Sequence, residues 1–256
     1  MAFGTMQFYS KQLQTMCSMN VITPRTGDGP FPVLYLLHGL SDNHTAWSRY
    51  TTLEMQLAEM PMIVVMPDGG RGWYLDDPRP GGLAWEQYMI EDVVCFVDTT
   101  FRTIRSREGR AIAGLSMGGH GALGLAMKHP EIYSMASTHS GAVFFGHHPR
   151  PSSELHDINA VNAFADAINA SETGDLWSIS ERYLSQKAAE LPLSIRMDCG
   201  TEDELIDDNR EFHAHLDAVG LAHDYAEYSG GHRWDYWNKH VYKTLRFVRD
   251  GLTSGA

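Results

Sequence analysis

The stretch Ala111-Ile-Ala-Gly-Leu-Ser-Met-Gly-Gly-His120 decides how the rest of the chain is read. It sets Ser116 between Gly114 and Gly118 in a Gly-x-Ser-x-Gly frame, with an apolar run before it and a helix-forming run after it. Such a frame is the sequence form of a sharp strand-to-helix turn that lifts a serine hydroxyl clear of a sheet. A serine at that turn occupies strained backbone, and side chains at the flanking positions would collide with strand or helix, so the glycines have a steric reason to be there. The competing reading is a glycine-rich turn with no chemistry. Two other glycine-loop chemistries are excluded. No Gly-Lys-Ser/Thr follows, and the spacing is not the Gly-x-Gly-x-x-Gly of a dinucleotide site.

Outward from this turn, apolar runs alternate with helix-period segments. Residues 8–22 read as an opening hairpin, and residues 24–32 as a Gly- and Pro-rich turn. Residues 31–37 and 62–66 are continuous apolar runs, as expected for strands buried on both faces. Residues 47–60 and 88–101 are expected to be helical, 110–115 a strand, 117–129 a helix stopped by Pro130, and 135–143 a strand. Strands at 194–199 and 223–228 flank a helix over 208–219, which Gly220 closes, and a last helix runs over 234–249. This alternation predicts an α/β fold with a mostly parallel sheet and helices on both faces. Residues 144–191 break the alternation and are read as a small lid insertion within one domain spanning 1–256, the alternative being an ordinary crossover helix pair.

The 256 residues suffice for a substantial core, and 43% apolar with 20% charged residues is ordinary for a globular protein. A net charge of −12 disfavours nucleic acid and anionic membranes as partners. No segment has the length of a membrane span, and the N-terminus lacks a basic stretch followed by a long apolar run. Cys17, Cys95 and Cys199 are scattered and odd in number, which reads as reduced, buried thiols in a cytoplasmic protein.

A serine hydroxyl needs a base to take its proton, and the base needs a third group to orient it. If Ser116 is a nucleophile, the acid and then the histidine follow in loops after late strands. Asp203 stands directly after one such strand, with Glu202 and Glu204 as rivals and Asp207 or Asp208 read as helix caps. His232 follows the last strand in Ser229-Gly-Gly-His232, where two glycines permit a tight loop. The oxyanion needs backbone donors. These are expected from the amides of Met117, after the serine, and Leu40, in His38-Gly39-Leu40 after an early strand. His38 itself is read as a structural hydrogen-bonding residue.

These residues resemble the esterase D-like branch of the α/β hydrolases, a family that includes S-formylglutathione hydrolases, tributyrin-type and acetyl esterases, feruloyl esterases and mycolyltransferases. The resemblance rests on Leu37-His-Gly-Leu-Ser-Asp-Asn43, Pro67-Asp-Gly-Gly-Arg71, Gly114-Leu-Ser-Met-Gly-Gly-His-Gly-Ala122, Cys199-Gly-Thr-Glu-Asp203 and Gly231-His-Arg-Trp-Asp-Tyr-Trp237. It implies an α/β-hydrolase fold, Ser116, Asp203 and His232 as a triad, and Leu40 and Met117 as the oxyanion hole. S-formylglutathione hydrolases typically carry Ser-Gly-Leu-Thr-Cys where this chain has His38-Gly-Leu-Ser-Asp42. The likeness therefore leans toward the acetyl and feruloyl esterases.

Trp47, Trp73, Tyr74, Trp85 and Phe145 fall in segments that can rim a pocket for acyl or aryl groups, the alternative being plain packing. Trp234 and Trp237 are read as anchors of the last helix. A metal is not expected. His213 and His215 lie two apart on a predicted helix and face different ways, and His147-His148 has no carboxylate or thiol in ligand spacing. Cys95 is read onto a buried helical face, hence not a nucleophile. The sequence reading is a serine carboxylesterase for short acyl or aryl esters, such as acetylated sugars or hydroxycinnamate esters. It needs no cofactor, takes a small-molecule ester as partner, and leaves a homo-oligomer open. The alternatives are an S-formylglutathione hydrolase-type thioesterase and, outside enzymes, a non-catalytic ligand-binding protein.

Overall fold

Alternate residues along the central strands pack into two separate hydrophobic layers. Val33, Tyr35 and Leu37 join one with Ile63, Val65 and Ile112, while Leu34 and Leu36 join the other with Val64, Met66, Ala111 and Ala113. Side chains alternate across a strand, so a sheet covered on both faces must read as an unbroken apolar run. A computed structural model describes residues 1–147, 164, 166–168 and 173–253. Its strands are β1 (Ala2–Ser10), β2 (Thr15–Thr23), β3 (Val33–Leu37), β4 (Ile63–Pro67), β5 (Arg110–Leu115), β6 (Met135–His139), β7 (Ser194–Gly200) and β8 (Asp224–Tyr228). They form one sheet in the order β1-β2-β4-β3-β5-β6-β7-β8. β1 with β2 and β2 with β4 pair antiparallel, and every later pair is parallel.

One face is covered by α1 (Ala46–Tyr50), α2 (Leu53–Gln56) and the long C-terminal helix Trp234–Thr253. The other carries α3 (Trp85–Gln87), a π-helical turn over Tyr88–Val93 and α4 (Val94–Thr100), which run on as one rod. The same face carries α5 (Met117–Lys128), α6 (Leu176–Gln186) and α7 (Ile206–Val219), which makes the C-terminal helix α8. α5 is buried from Met117 to Met127 because it lies over the middle of the sheet.

Three local expectations need correction. The helix expected over 47–60 is two short pieces. Thr51 is extended (φ −130°, ψ 167°), its hydroxyl accepts from the Leu53 amide, and Asn238 accepts from the Thr52 amide at 2.8 Å. Hydroxyl and β-branched side chains compete with the helix ladder in this way. The strand expected over 135–143 stops at His139, because Ser140 turns the chain with φ +48°. Cys95 faces solvent, since Val94 and Val97 take the inward side of α4; Cys17 and Cys199 are buried, and all three are free. Within the lid expected over 144–191, residues 148–163, 165 and 169–172 lie outside the described residues. Its described part includes α6, capped by the Asp175 carboxylate accepting from the Trp177 and Ser178 amides. Among the described residues no helix is long and apolar enough to cross a membrane.

Candidate active site

Ser116 caps the turn from β5 into α5 with φ +52° and ψ −119°. A non-glycine residue there stores roughly 1–3 kcal/mol of strain, so its surroundings must hold it. They do so through its own backbone. The Ser116 amide donates to His139 O at 3.0 Å, and Ser116 O accepts from the Ala142 and His120 amides at 3.0 Å each. The flanking glycines act by close approach. A Cβ on Gly114 would stand 2.3 Å from Gly118 O, and one on Gly118 would stand 2.6 Å from His38 O.

His232 Nε2 lies 3.0 Å from Ser116 Oγ, and its Nδ1 lies 3.0 Å from each carboxylate oxygen of Asp203. A carboxylate only accepts, so Nδ1 carries the ring proton and Nε2 turns its lone pair to the serine. The loops after β7 and β8 lie side by side to bring these groups together. Glu202 N–H donates to Gly230 O at 3.1 Å, and Gly200 has no room for a Cβ, which would meet Gly230 O at 2.0 Å. Trp237 presents its ring edge-on to His232 at 5.0 Å and donates from Nε1 to Ser140 Oγ at 3.2 Å.

Asp203 is buried. Burial pushes its carboxyl upward, yet the hydrogen bonds from His232 and from the Leu205 amide outweigh this and hold it below the ordinary carboxylate value. Among the described residues, none of the rivals hydrogen-bonds the imidazole. Glu202 and Glu204 are exposed, Glu202 accepting from the Gly230 amide, and Asp207 and Asp208 occupy the first turn of α7.

Leu40 borders the same cavity as Ser116, and Met117 follows Ser116 as the first residue of α5. Among the described residues neither amide donates to an acceptor, so both N–H groups remain available. The Gly39–Leu40 peptide is set by His38, which is buried. Its Nε2 accepts from the Gly69 amide at 2.9 Å, which leaves the proton on Nδ1 to donate to Gly39 O at 2.8 Å. Tyr74 donates its hydroxyl to His38 O at 3.1 Å. Burial pushes the Asp68 carboxyl upward, yet the Gly70 amide, which donates to it at 3.0 Å, the His44 Nδ1 at 3.3 Å and the neighbouring His38 ring hold it down at about 2.

A cavity of about 330 Å³ opens over Ser116 and His232, walled by Gly39, Leu40, Asp42, Arg233, Trp234 and Trp237. The aromatic residues expected to rim a pocket pack elsewhere. Trp47 is 1% exposed, donates from Nε1 to Leu37 O at 2.9 Å and meets Trp234 edge-on. Trp73 stacks on Phe145 at 3.6 Å, and Tyr74 is fully buried beneath His38. Trp85 borders a separate cavity of about 300 Å³ with Leu83 and Arg79. Large aromatics gain most by full burial, and Trp47, Trp73, Tyr74 and Phe145 have it here, whereas Trp85 is half-buried. Trp234 and Trp237 both anchor the last helix and face the serine cavity. Their position directly after the loop of His232 was the signal for this.

A model of the family described as Putative esterase matches residues 10–248. The chain belongs to this esterase family. It is 29% identical to an acetyl esterase of Caldicellulosiruptor saccharolyticus, with 97% of this chain and 98% of the relative covered. It is 32% identical over 237 residues to an esterase of Mycobacterium tuberculosis, covering 84% of this chain and 52% of the relative. The chain thus spans about half the length of that relative. Among solved structures, a ferulic acid esterase superposes with a TM-score of 0.84 at 26% identity, with 98% of each chain covered. S-formylglutathione hydrolase (FrmB) of Staphylococcus aureus superposes with a TM-score of 0.81 at 22% identity, covering 96% of this chain and 98% of the other, a likeness of fold. The fold is that of the α/β hydrolases.

Proposed function

We propose that this esterase is a serine carboxylesterase that cleaves short-chain acyl or aryl esters through an acyl-enzyme, with Ser116, His232 and Asp203 as its triad. The observation that carries this is the unbroken hydrogen-bond chain from Ser116 Oγ through His232 to Asp203, each link 3.0 Å. His232 Nε2 takes the Ser116 proton as Oγ attacks the ester carbonyl carbon. The carbonyl oxygen gains the negative charge, and the amides of Leu40 and Met117 stabilise it. The tetrahedral species collapses, His232 returns the proton to the departing alkoxide, and an alcohol leaves. Water then repeats both steps on the acyl group and frees the acid. Asp203 holds the imidazole tautomer throughout and stays ionised, consistent with its depressed carboxyl.

The acetyl and ferulic acid esterases similar to this chain motivate acetylated sugars and hydroxycinnamate esters as the substrates to try first. Three unpaired thiols fit a reducing, cytoplasmic setting. The test is Ser116→Ala. It should abolish p-nitrophenyl acetate turnover and fluorophosphonate labelling and leave the melting temperature within about 2 °C, since only one half-buried hydroxyl at the cavity floor is removed. Substantial turnover in that variant would reject the mechanism. Turnover of S-formylglutathione above that of every acyl and aryl ester would favour the thioesterase instead.

A further inference from the structure

His213 lies on α7, and His223 in the loop between α7 and β8, at the opposite end of β8 from His232. Their rings face each other with His213 Nδ1 2.7 Å from His223 Nε2. The other nitrogen of His223, Nδ1, lies 2.8 Å from the Leu221 carbonyl oxygen. A carbonyl only accepts, so that nitrogen carries the proton, and the neutral ring turns a bare Nε2 lone pair toward His213. One turn further along α7, the Asp217 carboxylate stands 3.7 Å from His213 Nε2. His213 is therefore caught between two acceptors. A neutral imidazole has a single N–H to offer them, so one acceptor faces a lone pair. Ligand atoms of all three residues lie within 4.8 Å of one another, and among the described residues no lysine or arginine pairs with Asp217. The cluster lacks one positive charge.

We propose that His213, His223 and Asp217 form a binding site for a divalent transition-metal ion of the zinc class. Imidazole nitrogens with a carboxylate suit such ions, whereas Mg²⁺ and Ca²⁺ take oxygen ligands. The ion replaces the proton between the rings, binding His213 Nδ1 and His223 Nε2, and that proton passes to solvent. The second nitrogens are already provided for. Leu221 O accepts from His223, and the Asp217 carboxylate faces His213 Nε2 at 3.7 Å, within reach of its N–H once the ring turns to meet the ion, the arrangement that orients metal-bound histidines. Zinc–nitrogen bonds of about 2.0–2.1 Å at a tetrahedral angle set the two nitrogens about 3.3 Å apart. From 2.7 Å the rings need part by only about 0.6 Å, a small side-chain rotation. Tyr225 stacks on the His213 ring at 4.3 Å and fixes its plane in advance. The side chains of His213 and Asp217 are 34% and 65% exposed, which leaves access for the ion and room for water ligands. Five strand residues at about 3.3 Å each separate this cluster from the loop of His232. The ion therefore ties the edge strand to α7 and takes no part in ester cleavage.

Titration calorimetry of chelator-stripped protein with zinc chloride tests this. One saturable ion per chain is expected, with a rise in melting temperature. His213→Ala and His223→Ala should each abolish it, Asp217→Asn should weaken it about tenfold, and His215→Ala should leave it intact, since that ring bonds Ser180 instead. Zinc-edge anomalous scattering from wild-type crystals at one equivalent should place the ion between residues 213 and 223, a readout that needs no variant to fold. No saturable binding, as when His213 simply holds a second proton, or an ion located at other histidines, overturns the proposal. Esterase activity plays no part in the readout, so failure here is distinct from failure of the ester mechanism.

Discussion

Replacing His38 separates two tasks that one ring performs. Its Nε2 accepts from the Gly69 amide, and its Nδ1 donates to Gly39 O. Across a trans peptide the carbonyl and the following N–H point in opposite directions. Anchoring Gly39 O on His38 therefore turns the Leu40 N–H away from that ring, to the side where Gly39 and Leu40 border the serine cavity. Asparagine sets an amide nitrogen near the Nδ1 position and keeps the donor. Glutamine sets an oxygen near Nε2 and keeps only the acceptor. Loss of one oxyanion donor costs about 2.7–4 kcal/mol, or about 10²–10³ in kcat. His38→Gln should thus lower kcat for p-nitrophenyl acetate by about that factor with KM near wild type, and His38→Asn should stay within about tenfold. His38→Asn leaves the buried Gly69 amide unsatisfied and should lose about 1–3 kcal/mol of stability, seen as a lower melting temperature, whereas His38→Gln should lose less, since Gly39 O still accepts from the Asp42 amide at 3.2 Å. Equal losses of kcat in the two variants, or an unimpaired glutamine variant, would refute the reasoning.

Three further outcomes are expected. Asp203→Asn should lower kcat by about 10⁴, because an amide admits the wrong imidazole tautomer; a loss under tenfold, with circular dichroism unchanged, would remove Asp203 from the mechanism. Gly118→Ala should cost about 1–3 kcal/mol, since its Cβ would meet backbone atoms of His38 and Leu37 at 2.6 and 2.7 Å. A wild-type melting temperature in that variant would deny the close approach. His120 is fully buried, and burial of its charge pushes it from 6.5 to about 4, with the hydrogen bond to Gly174 O opposing. The unfolded chain takes up that proton first, so stability should fall as pH drops from about 6.5 to about 4, by about 3 kcal/mol from this residue. Thermal unfolding against pH should be flatter for His120→Asn, and parallel curves would be inconsistent with a neutral buried ring.

The elbow and the two loops that face it were legible because each rests on a local rule. Gly114 and Gly118 report a close approach, unbroken apolar runs report a sheet covered twice, and Asp203 and His232 directly follow strands. Features that depend on which side of an element faces inward were not legible. Cys95 occupies an outward position on α4 that its apolar neighbours disguised, and Thr51 broke a helix whose periodicity continued through it. Trp47, Trp73, Tyr74 and Phe145 look the same in sequence whether they wall a cavity or fill a core. The pairing of His213 with His223 depends on how the chain returns after Gly220, where φ is +78°. Spacing along one helix could not show it.

Both polar groups of the Ser116 backbone are fastened within the elbow and to the segment after β6, whereas the walls a departing alcohol meets belong to the loops after β3 and β8. The oxygen that would attack is thus held by one stretch of chain and most of the surface around it by others. Exchanges in either loop that spare His232 and the Leu40 peptide can alter what is accepted without shifting that oxygen, which gives this scaffold a way to diversify its diet.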